Sequence, residues 1–161
     1  TVGWRPTSMV ADVNNKLWVL CSGSLGPDWT PGTADDIAGS LHRIDPMSGM
    51  IEQSFAMNSA DHPRNLKINA AGDVLYFLHG NSDYTGELRS MAVTASVLPS
   101  SSILNRQCYG LGVDAKTGII YCGIAPSFSV NGTVLRINGS TGIVIDSLVA
   151  GIGPNGFAFE Q

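Results

Sequence analysis

The chain has 161 residues, with 9 Lys and Arg against 13 Asp and Glu and a formal net charge of −4. That balance provides no basic footprint for nucleic acid or an anionic membrane surface, and no run approaches the ~18 apolar residues of a membrane span. With 19 glycines, 8 prolines and only 14% charged residues, the composition points away from helices and towards a turn-rich β domain.

In chain order, Trp4-Arg5-Pro6 leads into a run from Thr7 to Asp12, a turn at Asn14-Asn15, and a second run Leu17-Trp18-Val19-Leu20. These read as two strands joined tightly. After the long loop Ser22 to Ala38 comes Gly39 to Phe55, GSLHRIDPMSGMIEQSF, which returns without a gap as Gly132 to Leu148, GTVLRINGSTGIVIDSL. Gly39/Gly132, Arg43/Arg136, Ile44/Ile137, Gly49/Gly142 and Ser54/Ser147 are identical, and most other positions swap like for like. Each copy is a β-hairpin in which Asp45 or Asn138 opens the turn by bonding its own backbone and Gly49 or Gly142 closes it in the left-handed region.

The first strand pair recurs at Pro63 (PRNLKIN, AAGD, VLYFL) and at Cys108 (CYGLGVD, AKTG, IIYCG), and its first strand alone at Pro154 (PNGFAFE). Starts at 6, 63, 108 and 154 are spaced by 57, 45 and 46 residues, the long interval holding the loop Ser22 to Ala38. Asp12, Asn69 and Asp114 open the equivalent tight turns. The middle unit is the least regular: Gly86 to Val93 reads as its third strand, and its fourth is expected within Leu98 to Leu104.

Four short strands repeated every ~45 residues mark β-propeller blades. The expectation is an all-β propeller segment with blades over 3–58, 59–104 and 105–151 and a closing inner strand at 154–160. The residues Ile68 to Tyr76, Val113-Asp114 through Tyr121, Arg43-Ile44-Asp45 through Gly49, and Gly153-Pro154-Asn155-Gly156 resemble the YVTN-type propeller repeat. That resemblance spans nearly the whole chain and implies a secreted or surface-attached bacterial propeller. Three blades and one strand do not close a ring, and open blade faces need cover. The sequence therefore predicts missing blades, from the same polypeptide upstream of Thr1 or from another chain, and that Gly156 to Phe159 pairs with strands outside residues 1 to 161.

Cys21, Cys108 and Cys122 fit neither a zinc spacing nor an even disulfide framework. Pairing Leu111 opposite Tyr121 puts Cys108 and Cys122 diagonal on one hairpin face, so no disulfide between them is expected and Cys122 reads as a buried small hydrophobe. His42 aligns with Leu135 and reads as a packed strand residue; His62 and His79 show no triad order and no metal-ligand spacing. Asp28, Asp35 and Asp36 are weak calcium candidates that match no EF-hand array. Asn131-Gly132-Thr133 and Asn138-Gly139-Ser140 fit the glycosylation pattern but read as turns. Nothing in the sequence calls for a cofactor.

Topology places the blade-to-blade connections and the loops between second and third strands on one face around the channel. Trp4, Arg5, Trp29, His62, Arg64, Asn65, Tyr84, Arg106, Tyr109, Phe128 and Asn155 fall there. Arg5, Arg64 and Arg106 occur at similar places in successive units, as a partial cationic ring would require. Aromatics beside Arg and Asn suit a carbohydrate, a peptide or an anionic small molecule, and a protein ligand is a further expectation. The expected role is a non-catalytic binding or scaffold module outside the cytoplasm; a lactonase-type propeller hydrolase is the alternative.

Overall fold

The computed structural model describes residues 1–80 and 84–160. Within them the chain is all-β, in three four-stranded antiparallel sheets. Blade one holds β1 (Pro6–Ala11), β2 (Leu17–Cys21), β3 (Ser40–Ile44) and β4 (Ile51–Ala56). Blade two holds β5 (Arg64–Ile68), β6 (Val74–His79), β7 (Gly86–Ala92) and β8 (Gln107–Cys108). Blade three holds β9 (Gly110–Val113), β10 (Ile119–Ile124), β11 (Thr133–Asn138) and β12 (Val144–Val149). In each sheet the strands lie side by side in chain order, the arrangement of a propeller blade.

Strand alternation sends every second side chain into a seam between blades. Trp18, Leu20, Leu41 and Phe55 of blade one meet Leu66, Leu75, Phe77 and Met91 of blade two, and Trp18 stacks on Phe55 with centroids 6.1 Å apart. Tyr76, Leu78 and Leu88 of blade two meet Leu111, Ile120, Cys122, Leu135 and Ile137 of blade three. Each such side chain fully buried contributes about 1.5–3 kcal/mol, so these two seams hold the blades in a row. Polar clasps fix their register. Ser8 Oγ accepts the Leu66 N–H at 3.1 Å, Gly72 C=O accepts the Val13 N–H at 2.8 Å, and the Tyr76 hydroxyl donates to Gly139 C=O at 3.1 Å.

The repeat reaches down to irregularities. Both the β3–β4 and β11–β12 pairings slip by a residue at the same place, between Arg43 and Ile44 and between Arg136 and Ile137. The turn that follows is one device used three times, at 45–49, 114–118 and 138–142. Backbone N–H groups of Gly49, Gly118 and Gly142 donate to the carbonyls of Asp45, Asp114 and Asn138, each at 2.8 Å. Those glycines have φ of 70°, 69° and 72°, where a Cβ would be strained. Ser48 and Thr117 hydroxyls cap the carboxylates of Asp45 and Asp114 at 2.8 and 2.6 Å. Asp12 and Asn69 open their turns as expected, and Asp12 Oδ2 also takes the buried indole N–H of Trp18 at 2.9 Å.

Two expectations need correction. The fourth strand of blade two is Gln107–Cys108, paired with Glu87 and Gly86, so the blade runs past residue 104. Residues 99–104 trace the edge of β7 irregularly, because Ser102 Oγ and the Ile103 N–H both take the Leu88 carbonyl and stand in for a ladder. Second, Cys108 and Cys122 are joined by a disulfide. Cys108 does not belong to the β9–β10 hairpin, in which Leu111 faces Cys122; it comes from β8 and crosses the seam between the blades.

Residues 154–160, expected to pair with strands outside residues 1 to 161, pair with no strand among the described residues. They pack on β9 and β10 of blade three. Phe157 and Phe159 sit against the Tyr121 ring at 5.9 and 5.1 Å. Gly110 and Gly112 make room: a Cβ there would come within 2.5 Å of Asn155 and 2.6 Å of Phe157.

Candidate functional site: the channel face

Loops 22–39 and 125–132, residues 84 and 85, and the connections 57–63 and 150–153 emerge together at one end of the blades. Three aromatics sent there by separate segments form a cluster. Phe128 meets Tyr109 edge to face at 5.4 Å and Tyr84 at 6.0 Å, and the backbone of Gly153 lies under Phe128 and Tyr109. Tyr84 and Phe128 remain 62% and 59% exposed, so the cluster is a surface and not a plug.

Trp29 is 72% exposed at the tip of the long loop and has a left-handed backbone, φ 55°. A bulky residue held in that region is rare, and such strain gathers at ligand-contacting sites. The loop is built to hold it. The Asp28 carboxylate takes the Thr30 N–H at 2.8 Å, Asp35 takes the Thr33 hydroxyl at 2.7 Å, and Asp36 takes the Gly32 N–H at 2.6 Å. The three carboxylates are thus spent on loop geometry, and among the described residues no group of three or more His, Cys, Asp or Glu side chains is placed to hold a metal ion.

Of the other expected residues, Asn65 reaches the cluster, its Nδ2–H donating to Tyr109 C=O at 3.5 Å. Trp4 is 60% exposed, and left-handed Arg5 (φ 54°) turns the chain so that its carbonyl accepts the Ser22 N–H. Asn65 is likewise left-handed, φ 55°, and Asn155 lies over Gly110. Arg64 is half-buried in β5, while Arg106 lies in the outer seam of blades two and three beside Ile124, Leu135 and Asp146. His62 is 2% exposed, its Nδ1–H donating to Ser22 C=O at 3.0 Å and its Nε2 facing Asp36 at 3.7 Å, so it anchors the base of the long loop. It does not pair with His79, whose Nε2 faces Asp61 at 3.3 Å. Burial holds the His79 ring below the ordinary imidazole range although Asp61 pulls it the other way.

His42 is buried as expected, with a partner the sequence did not foretell. Its Nε2 accepts the Gly3 N–H at 3.1 Å and lies 2.8 Å from Ser40 Oγ, so the neutral ring carries its proton on Nδ1 and donates to Ser54 Oγ at 2.9 Å. Burial lowers its pKa. Beside it the buried Cys21 thiol is pushed up by burial, the condition of an inert cysteine.

No family model matches the chain, and no curated protein is similar to it in sequence. Among solved structures it is similar to Kuenenia stuttgartiensis hydrazine synthase, with a TM-score of 0.53 and 14% identity over 92% of this chain. The match spans 51% of that chain, and at this identity it speaks for the propeller fold alone.

Proposed function

We propose that this chain is part of a larger YVTN-type bacterial propeller that acts outside the cytoplasm as a non-catalytic binding module, recognising its ligand on the channel face. The observation that carries this reading is the cluster Tyr84–Phe128–Tyr109, three rings from separate segments, of which Tyr84 and Phe128 are open to solvent and Tyr109 is half-buried. Large rigid rings supply contact area at low entropic cost, which is why aromatics dominate binding hot spots. The Cys108–Cys122 bridge supports the location, since such bonds persist in oxidising compartments. The segment 154–160, which packs on blade three and pairs with no strand among the described residues, supports the larger ring as an edge that further blades would pair.

The test is a screen of the purified chain on glycan and peptide arrays, followed by Phe128→Ala and Tyr84→Ala. Each substitution is expected to weaken the selected ligand by roughly 2 kcal/mol while leaving the thermal midpoint within a degree or two. Binding that is indifferent to both variants would remove this reading.

A further inference from the structure

Comparing blades two and three strand by strand isolates one anomaly. His79 pairs with Glu87 and Phe77 with Arg89 as Ile124 pairs with Thr133 and Cys122 with Leu135. Blade three therefore presents Ile124, Thr133 and Leu135 to its seam where blade two presents His79, Glu87 and Arg89. Blade one has Cys21, Ser40 and His42 at those places, so blade two alone puts a carboxylate and a guanidinium there; placing such charges in a seam is costly, and folds retain them where function needs them.

These side chains line a cleft of about 660 Å³ between blades one and two, with Asn58 and Asp61 on one wall and Gln107 on the other. That volume fits a small ligand. Every charge in it is oriented by a neighbour. Asp61 Oδ2 accepts the backbone and side-chain N–H groups of Asn58, both at 3.1 Å, and faces His79. Arg89 Nη1 donates to Pro99 C=O at 2.6 Å and Nη2 to Glu87 at 3.3 Å, while its buried Nε has no hydrogen-bond partner among the described residues. An adjoining hollow of about 380 Å³ shares Asn58, Asp61, His79 and Arg89 and adds the apolar Met57, Leu98 and Pro99.

The chemistry selects a ligand class. Two carboxylates against one guanidinium disfavour phosphate, sulfate or a carboxylate ligand. Acceptors (Asp61, Glu87) and donors (Arg89, Asn58, Gln107) line one space, a mixture that neighbouring hydroxyls satisfy, since each both gives and takes a hydrogen bond. The apolar hollow suits the C–H face of a ring. We infer that the cleft is a subsite for a neutral saccharide of one or two rings, bound through Asp61, Glu87 and Arg89. It is separate from the aromatic cluster and goes beyond the function proposed for it.

The experiment is an amide-shift titration of the 15N-labelled chain with glucose, galactose, mannose, xylose, N-acetylglucosamine, lactose, maltose and cellobiose, with glucuronate and cadaverine as charged probes. The expected result is saturable shifts at Asp61, Glu87, Arg89 and Gln107 with at least one neutral sugar. Glu87→Gln, which keeps shape and fold, is expected to weaken that sugar about tenfold, the loss of one hydrogen bond to a charged group, and Tyr84→Ala to leave it unchanged. Three outcomes overturn the proposal: no neutral sugar moves these amides, only a charged probe does, or the binding survives both Glu87→Gln and Arg89→Met. Loss of sugar binding in Tyr84→Ala with Glu87→Gln unaffected would also overturn it, and would assign the sugar to the aromatic cluster.

Discussion

Cys108, on the last strand of blade two, is bonded to Cys122, in the second strand of blade three, with their Cα atoms 5.7 Å apart and Cys21 left as the free thiol. The bond closes a short loop and ties two blades that also meet through side-chain packing and the hydrogen bond from Tyr76 to Gly139 C=O. Unfolded without reductant, the protein is expected to react with one equivalent of a thiol reagent, and with three after reduction. Replacing Cys108 and Cys122 by Ala is expected to cost about 2–4 kcal/mol in denaturant unfolding. Three reactive thiols in the unreduced protein would refute the bridge.

Trp29 and Trp18 make opposite predictions. Trp29 is 72% exposed and Trp18 fully buried with its indole N–H on Asp12. Trp29→Ala is expected to leave stability within about 0.5 kcal/mol, while Trp18→Ala is expected to lose about 3–5 kcal/mol. Equal effects in urea titrations would show that the long loop folds Trp29 back onto the blade.

The repeated turn predicts an acid limb in the stability profile. Hydrogen bonds from Ser48 and the Met47 N–H hold Asp45 below the ordinary carboxylate value, and Thr117 and the Lys116 N–H do the same for Asp114. A folded pKa below the unfolded one gives stability that is present above the unfolded value, near ~4, and lost as pH falls through the folded value. The thermal midpoint is expected to drop below about pH 4, less steeply in the Asp45→Ala, Asp114→Ala double variant. His42, also lowered, adds a separate loss that begins below its unfolded value near ~6.5 and runs through the folded one. A midpoint flat across both ranges would contradict the assignments.

Gly112 tests the docking of the last segment. A Cβ there would meet Phe157 at 2.6 Å, and Phe157 shares Tyr121 with Phe159. Gly112→Val is expected to release residues 154–160, seen as faster proteolysis of the C-terminal segment at an unchanged far-ultraviolet spectrum. Unaltered proteolysis would mean that the segment does not depend on this face.

What the sequence by itself determined was local. The copies Gly39 to Phe55 and Gly132 to Leu148 fold into hairpins with the same turn and the same slip in register, because those features depend on residues a few positions apart. The propeller class followed from repetition, and the turn roles of Asp12, Asn69 and Asp114 followed from the chemistry of their side chains. The bridge from Cys108 to Cys122, the partnership of His62 with Asp36, the seating of Phe157 on Gly112 and the polar seam at His79 and Arg89 were decided by tertiary structure. Each depends on how one sheet stacks on the next. A strand's own alternation says which side a residue faces, but not which residue of another blade, dozens of positions away, the twist of the stack brings opposite it.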